Sequence, residues 1–385
     1  MYLLKRAIAT LLATIAVCTF IPVPKARGVS ETPEISAQSC ILVDAETGVA
    51  LYEKDADVLM GIASTTKILT ALVVLESCAP DEIVEIKKDW TGIEGSSLYL
   101  NEGERLTVAT LLYGMMMHSG NDAAHALACH TAGSISEFSD MMNATAKKLG
   151  CTQSYFENPH GLDGERHLAT ARELAVITAA AMKIDMFTKI VSTKNMTADG
   201  RSFKNHNKLL WNYEGTLGVK TGYTMSAGRS LVSCAERNGK RIICVTLNAP
   251  DDWNDHASLY DWAFSDLDVL AIAKGERIDA VLPIISGVRA SVSLMTGADI
   301  SIILPRDSDY TLTVEAPKFV YAVVVRGGAA GQLVVRVDGV ALASVPVMFE
   351  ETVRQSETAK LTAWELVKRA WYRANEYGAY QGFGY

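Results

Sequence analysis

The chain has 385 residues, 49% hydrophobic and 21% charged, an ordinary globular composition that excludes wholesale disorder, a collagen-like repeat and a polytopic membrane protein. At ~150 residues per domain it has room for two domains or three. A net charge of −8 without a basic block argues against a nucleic-acid partner, and seven cysteines are too sparse for a disulfide scaffold.

The N-terminus reads as an export signal. Lys5 and Arg6 precede an uncharged run from Ala7 to Ile21, and Pro22 and Pro24 end it. That run fits a secretory apolar segment and is short for a bilayer span. Ala26-Arg27-Gly28 places small residues for cleavage after Gly28, so residues 1–28 form the signal and the remainder works outside the cytoplasm. Cys18 follows Val17, a poor lipoprotein box. Six cysteines remain: Cys40, Cys78, Cys129, Cys151, Cys234 and Cys244. The close pair Cys234 and Cys244 flanks Asn238-Gly239. If that dipeptide closes a two-residue hairpin, Cys234 opposes Ile243 and Cys244 opposes Ser233. The two sulfurs then face opposite sides of the sheet, and all six thiols are expected to be free and mostly buried.

From Ser39 to Lys54 the pattern is strand, turn, strand, with Cys40-Ile41-Leu42-Val43 continuously apolar. Ser64–Glu76 changes period, with Ile68, Leu69, Leu72 and Leu75 marking a buried helix. Helical spacing continues through Val108–His130, Ile135–Leu149 and Ala171–Ile184. Strands return at Leu231–Ala235 and Ile242–Leu247, and a helix follows at Ala257–Phe264. Strands flanking a run of helices predict an α+β domain built on an antiparallel sheet, over residues 29–275. Beyond Gly275 alternation takes over: Val288 to Leu294, Ile300 to Leu304, Tyr310 to Val314, Phe319 to Val325, and Leu333 to Val337 ahead of Asp338-Gly339. Short strands at that interval predict a small all-β sandwich of roughly 75 residues, 276–352, without convergent chemistry and suited to spacing or docking. In the last segment, 353–385, Leu361, Trp364, Val367 and Trp371 recur at helical spacing opposite Lys360, Lys368, Arg369 and Arg373. Such an amphipathic helix suits the headgroup plane, and a peripheral membrane contact is expected there.

Three short motifs carry the chemistry: Ser64-Thr65-Thr66-Lys67, Ser119-Gly120-Asn121 and Lys220-Thr221-Gly222. A lone S-x-x-K occurs by chance about once or twice in such a chain, but all three in this order come to well under about one in a hundred. Positions i and i+3 share a helix face, so the Lys67 amine can reach the Ser64 hydroxyl. A serine hydroxyl is a poor nucleophile until a base takes its proton, and burial or a neighbouring cation such as Lys220 lowers an amine's pKa enough for Lys67 to act. Lys220 and Thr221, on an edge strand, offer a cation and a hydroxyl to a carboxylate.

This trio resembles the penicillin-binding protein and serine β-lactamase superfamily, for which such motifs are the known signature. More closely, the chain is similar to the low-molecular-mass D-alanyl-D-alanine carboxypeptidases. Gly61-Ile62-Ala63, Asn158-Pro159-His160-Gly161-Leu162-Asp163, Thr221-Gly222-Tyr223-Thr224 and Ala227-Gly228 carry that likeness. The resemblance implies a penicillin-binding catalytic domain and a serine acyl-enzyme that trims D-Ala-D-Ala from peptidoglycan stems and is acylated by β-lactams. It further implies that Ser64 attacks with Lys67 as base, that Ser119 relays the leaving-group proton and that Asn121 holds the substrate amide. Lys220, Thr221 and Gly222 would bind the terminal carboxylate end, and the backbone N–H groups of Ser64 and Tyr223 would form the oxyanion hole. Many relatives carry His where Tyr223 stands. No metal or organic cofactor is implied.

Five rivals share parts of this pattern. A Ser-His-Asp hydrolase lacks its G-x-S-x-G elbow. A zinc enzyme lacks H-E-x-x-H, and His118, His125 and His130 do not stack on one helix face. A β-lactamase of the glutamate-dependent kind needs E-x-x-x-N, which Glu157-Asn158-Pro159-His160 does not reproduce. A transpeptidase shares every motif. A non-catalytic wall-binding scaffold normally loses the nucleophile or lysine, and both stand here.

Overall fold

The computed structural model describes residues 32–356 except Asp307 and Asp338, together with Lys368. The export segment and the aromatic tail therefore lie outside the described residues.

A five-stranded antiparallel sheet organises the first domain. Its strands are β1 (Ser39–Asp44), β2 (Ala50–Lys54), β3 (Thr216–Thr224), β4 (Gly228–Arg237) and β5 (Lys240–Leu247), in the spatial order β2-β1-β5-β4-β3. Every residue of β1 is buried. It lies inside the sheet, so both its faces meet protein, and a continuous apolar run results where a half-exposed strand would alternate. Ile41 and Val43 enter a core with the helices, whereas Cys40 and Leu42 enter a second core on the opposite face. Asn238-Gly239 joins β4 to β5 in the expected register, Cys234 opposite Ile243 and Ser233 opposite Cys244. Cys234 lies in the first core and Cys244 in the second, and all six described cysteines are free.

One face of the sheet carries six helices: α1 (Lys67–Ser77), α2 (Val108–Met117), α3 (Asn121–Ala132), α4 (Ile135–Lys148), α5 (Ala171–Met182) and α6 (Asp185–Ser192). A seventh, α7 (Asp252–Asp266), covers the other face through Leu259, Tyr260 and Ala263. Its buried His256 bridges Ser233 and Thr246 of the sheet at 2.6 and 2.9 Å. Helix α1 is buried from Lys67 to Val74, which explains why Thr70 alone interrupts the apolar run from Ile68 to Val74. The helix expected over Val108–His130 is instead two, α2 and α3. Apolar spacing runs through the break, but Ser119 takes a positive φ of 64° and turns the chain. A short 3₁₀ turn, Ala63–Thr66, precedes α1, so Ser64 stands before the α-helix proper.

The β-rich region holds β6 (Leu267–Ile272), β7 (Arg277–Ile285), β8 (Ser291–Thr296), β9 (Ile300–Pro305), β10 (Tyr310–Glu315), β11 (Val320–Tyr321), β12 (Ala329–Val337) and β13 (Val340–Phe349). A six-stranded sheet, β10-β12-β13-β8-β7-β11, packs on the β6-β9 pair through Ile302, Val292, Leu294, Leu333, Val335 and Val347. The sandwich is thus as expected, with local differences. The strand read over Phe319–Val325 shrinks to Val320–Tyr321, and Val323 and Val325 are exposed. Alternation at Tyr310 and Leu312 marks a strand whose apolar residues face solvent, since β10 is an edge. Strand β13 was hidden in the sequence by Pro346, a residue that ordinarily counts against a central strand. The two regions touch where Asp44 accepts a hydrogen bond from the Ile303 amide at 3.2 Å.

Candidate active site

The three sequence motifs converge on one cleft edge. Ser64 stands on the 3₁₀ turn, Lys67 opens α1, Ser119 lies in the α2–α3 connection, Asn121 opens α3, and Lys220 to Tyr223 belong to edge strand β3. Lys67 is fully buried and Lys220 is nearly so. The Lys67 Nζ lies 2.8 Å from Ser64 Oγ, 2.7 Å from Asn121 Oδ1 and 2.5 Å from the His160 carbonyl oxygen. Two of these partners only accept. An uncharged amine has two N–H groups and one lone pair, so donating to Asn121 and His160 leaves the lone pair for the Ser64 hydroxyl proton. The Asn121 amide orientation is fixed independently, because its Nδ2 donates to the Glu94 carbonyl at 2.5 Å.

Electrostatics favour that uncharged amine. Burial pushes the Lys67 pKa well below its ordinary 10.5, the Lys220 charge lowers it further, and buried Asp122 partly opposes both. Burial also brings Lys220 down to about 7. A charge on one lysine therefore disfavours a charge on the other, and with Lys220 protonated the lone pair resides on Lys67.

The frame around these groups is built from residues whose roles the sequence did not disclose. Asn158 accepts from the amides of His160 and Gly161 and donates to the Leu162 carbonyl, holding the His160 carbonyl towards Lys67. Asp163 accepts from Thr224 Oγ1 at 2.9 Å and ties that loop to β3. His167 Nδ1 accepts from the Glu157 amide, so Nε2 carries the hydrogen and donates to Thr66 Oγ1 at 2.8 Å. Thr66 in turn donates to the carbonyl of Ala63, a residue held at φ 46° beside Ser64. Burial lowers the pKa of His167 to about 4 and of His160 to about 3, leaving both rings neutral. Asp122 accepts from Ser97 and from the amides of Leu98 and Leu100, fixing the loop whose Glu94 carbonyl orients Asn121. At Gly222 an added Cβ would stand 3.2 Å from the Ser64 nitrogen, so glycine lets β3 approach the nucleophile turn closely.

Other residues that the sequence singles out have surroundings of their own. The Glu157 carboxylate accepts from the Arg166 amide at 3.2 Å. His118 rests against His206, with ring centroids 4.7 Å apart, on the wall of a cavity of about 670 Å³ that also holds Lys204, Lys208 and Trp211. Tyr223 projects outward, 65% exposed.

A serine hydroxyl, a buried amine and a second buried lysine held in this arrangement can carry out acyl transfer. A family model described as D-alanyl-D-alanine carboxypeptidase, peptidase S11, matches residues 26–251. The chain belongs to the D-alanyl-D-alanine carboxypeptidase family. It is 32% identical over 92% of its length to D-alanyl-D-alanine carboxypeptidase DacF of Bacillus subtilis, covering 96% of that protein. To carboxypeptidase DacC of Escherichia coli it is 33% identical, over 84% of this chain and 86% of the other. Among solved structures, penicillin binding protein 5 of Haemophilus influenzae superposes with a TM-score of 0.72 at 28% identity, covering 84% of this chain and 99% of that one. The PBP3 structure from Streptococcus pneumoniae gives 0.74 at 26% identity, with 84% and 100% covered. The likeness thus spans both the α+β domain and the sandwich. This carboxypeptidase is a serine-type hydrolase of the cell wall, in the penicillin-binding fold.

Proposed function

We propose that Ser64 is the nucleophile and Lys67 its base in removal of the terminal D-alanine from peptidoglycan stem peptides. The Ser64 hydroxyl proton passes to the Lys67 lone pair as Oγ bonds to the carbonyl carbon between the two D-alanines. The oxyanion rests on the backbone N–H groups of Ser64 and Tyr223, donors whose individual loss costs ~10²–10³ in rate. The C–N bond then breaks, D-alanine leaves with a proton relayed through Ser119, and water hydrolyses the Ser64 ester. Asn121 holds the substrate amide while orienting Lys67, and Gly222 admits the peptide beside Ser64. Lys220 and Thr221 bind the terminal carboxylate, whose negative charge keeps Lys220 protonated.

The observation that carries this reading is the Lys67 contact set: two acceptors and one hydroxyl around a buried amine. The same nucleophile makes the protein a target of β-lactams, which would acylate Ser64. The glutamate-driven deacylation of β-lactamases finds no support at Glu157, whose carboxylate is engaged elsewhere. We further assign 29–266 to catalysis and 267–352 to spacing the cleft from its anchor, because Leu267–Ile272 already pairs with Ile300–Pro305 ahead of the boundary expected at 275. We assign 353–385 to peripheral contact with the outer face of the cytoplasmic membrane, after export by residues 1–28. Incubation with diacetyl-lysyl-D-alanyl-D-alanine tests the core of this. Release of D-alanine by the wild type and not by Ser64→Ala supports it; release by both overturns it.

A further inference from the structure

Helices α1 and α3 present Lys67 and Asn121 at their N-terminal ends, and at their other ends they bring together a second group of side chains. Cys78 caps α1, His130 lies in the last turn of α3, and Glu82 follows on the loop between α1 and α2. One ligand atom from each, Cys78 Sγ, Glu82 carboxylate oxygen and His130 Nε2, lies within 4.8 Å of the others. We propose that Cys78, Glu82 and His130 bind a zinc ion that clamps α1 to α3 at the ends remote from the cleft.

The donor set is sulfur, imidazole and carboxylate, which suits zinc and not the hard cations calcium and magnesium. At bond lengths of about 2.0–2.3 Å, a tetrahedral ion keeps its ligand atoms about 3.3–3.7 Å apart. His130 Nε2 and Glu82 Oε2 already stand 3.3 Å apart. Cys78 Sγ has to close by about an ångström, which rotation of half-exposed side chains supplies. The frame is fixed. Glu82 accepts from the Ala79 amide at 2.5 Å, the amides of Val108 and Ala109 hold the Glu82 and Pro80 carbonyls at 2.9 Å, and Thr131 Oγ1 lies 3.4 Å from Cys78 Sγ. Cys78 and Glu82 share the turn after α1 and His130 stands near the end of α3, so the ion would join these two segments only in the folded chain. The fourth position is left to water. On binding, Cys78 forms the Zn–S bond and its thiol proton goes to the buffer. None of this depends on the catalytic roles given to Ser64 and Lys67.

The test is titration of the reduced full chain, without an affinity tag, with cobalt(II) and then zinc. The expected result is one cobalt per chain with a thiolate-to-cobalt charge-transfer band, displaced by zinc and not by magnesium. Cys78→Ser removes the band, whereas Cys129→Ser keeps it. Glu82→Gln and His130→Ala weaken zinc by more than the ~10–100-fold that loss of an outer-shell partner costs. Zinc then raises the melting temperature of the wild type and not of His130→Ala. Absence of the band, persistence of the same band in Cys78→Ser, or an equal zinc shift in His130→Ala would overturn the proposal.

Discussion

The cleft and the β-sandwich are made by opposite uses of burial. Around Ser64, two lysines, Asp122 and the neutral His167 are taken out of water and held by directed hydrogen bonds, at a cost in desolvation. The sandwich interior is aliphatic, from Ile302 to Val347, and asks nothing of its residues except shape. One region therefore loses function before stability when altered, and the other the reverse.

The largest expected effect separates the two. Lys67→Ala should lower acylation by a fluorescent penicillin by about 10⁴-fold or more, as loss of a base from a serine site does, with near-native melting temperature. Robust labelling of that variant would show that Ser64 uses another base. Next, Lys220→Ala should reduce kcat/KM for the peptide about 10²-fold by removing the cation opposite the carboxylate. The pH profile sharpens the same point. As the proposed base, Lys67 would act only when uncharged, so activity is expected to fall on the acid side as pH drops through its lowered pKa. In the proposed role Lys220 would bind carboxylate only when protonated, so kcat/KM is expected to fall on the alkaline side through about 7 in the free enzyme. The alkaline limb of kcat should lie higher, because bound carboxylate stabilises the Lys220 charge; coincident limbs would detach Lys220 from substrate.

Gly161→Ala bridges the two kinds of effect. Gly161 has φ 87° and its added Cβ would run into the Ala63 carbonyl, so both strain and displacement of the nucleophile turn follow. A loss of about 2 kcal/mol or more with a matching fall in kcat is expected. The smallest effect on chemistry belongs to Leu333→Ala in the sandwich. It should destabilise that region by about 2–5 kcal/mol in denaturant unfolding while kcat/KM stays at the wild-type value. A fall in kcat/KM would mean that the sandwich supports the cleft.

How much of this was legible in the sequence follows the same division. Apolar spacing revealed the buried strand β1, helix α1 and the hairpin register, because period and turn chemistry leave marks on residue type. The break at Ser119 left none, since a single positive φ interrupts no apolar pattern. Ser64, Lys67 and Lys220 could be read because the roles proposed for them rest on their side chains. The His160 carbonyl could not, because a backbone acceptor carries no signature of its residue. Cys78, Glu82 and His130 escaped for a different reason: His130 meets the other two only after α1 and α3 pack.

The central claim is that a buried, uncharged Lys67 amine faces the Ser64 hydroxyl in the resting enzyme. An NMR titration of ¹³Cε-labelled lysines, with the Lys67 resonance assigned by its loss in Lys67→Ala, measures this directly. A midpoint well below 10.5 is the predicted result. A Lys67 resonance that titrates with the surface lysines, near their ordinary value, would contradict the account.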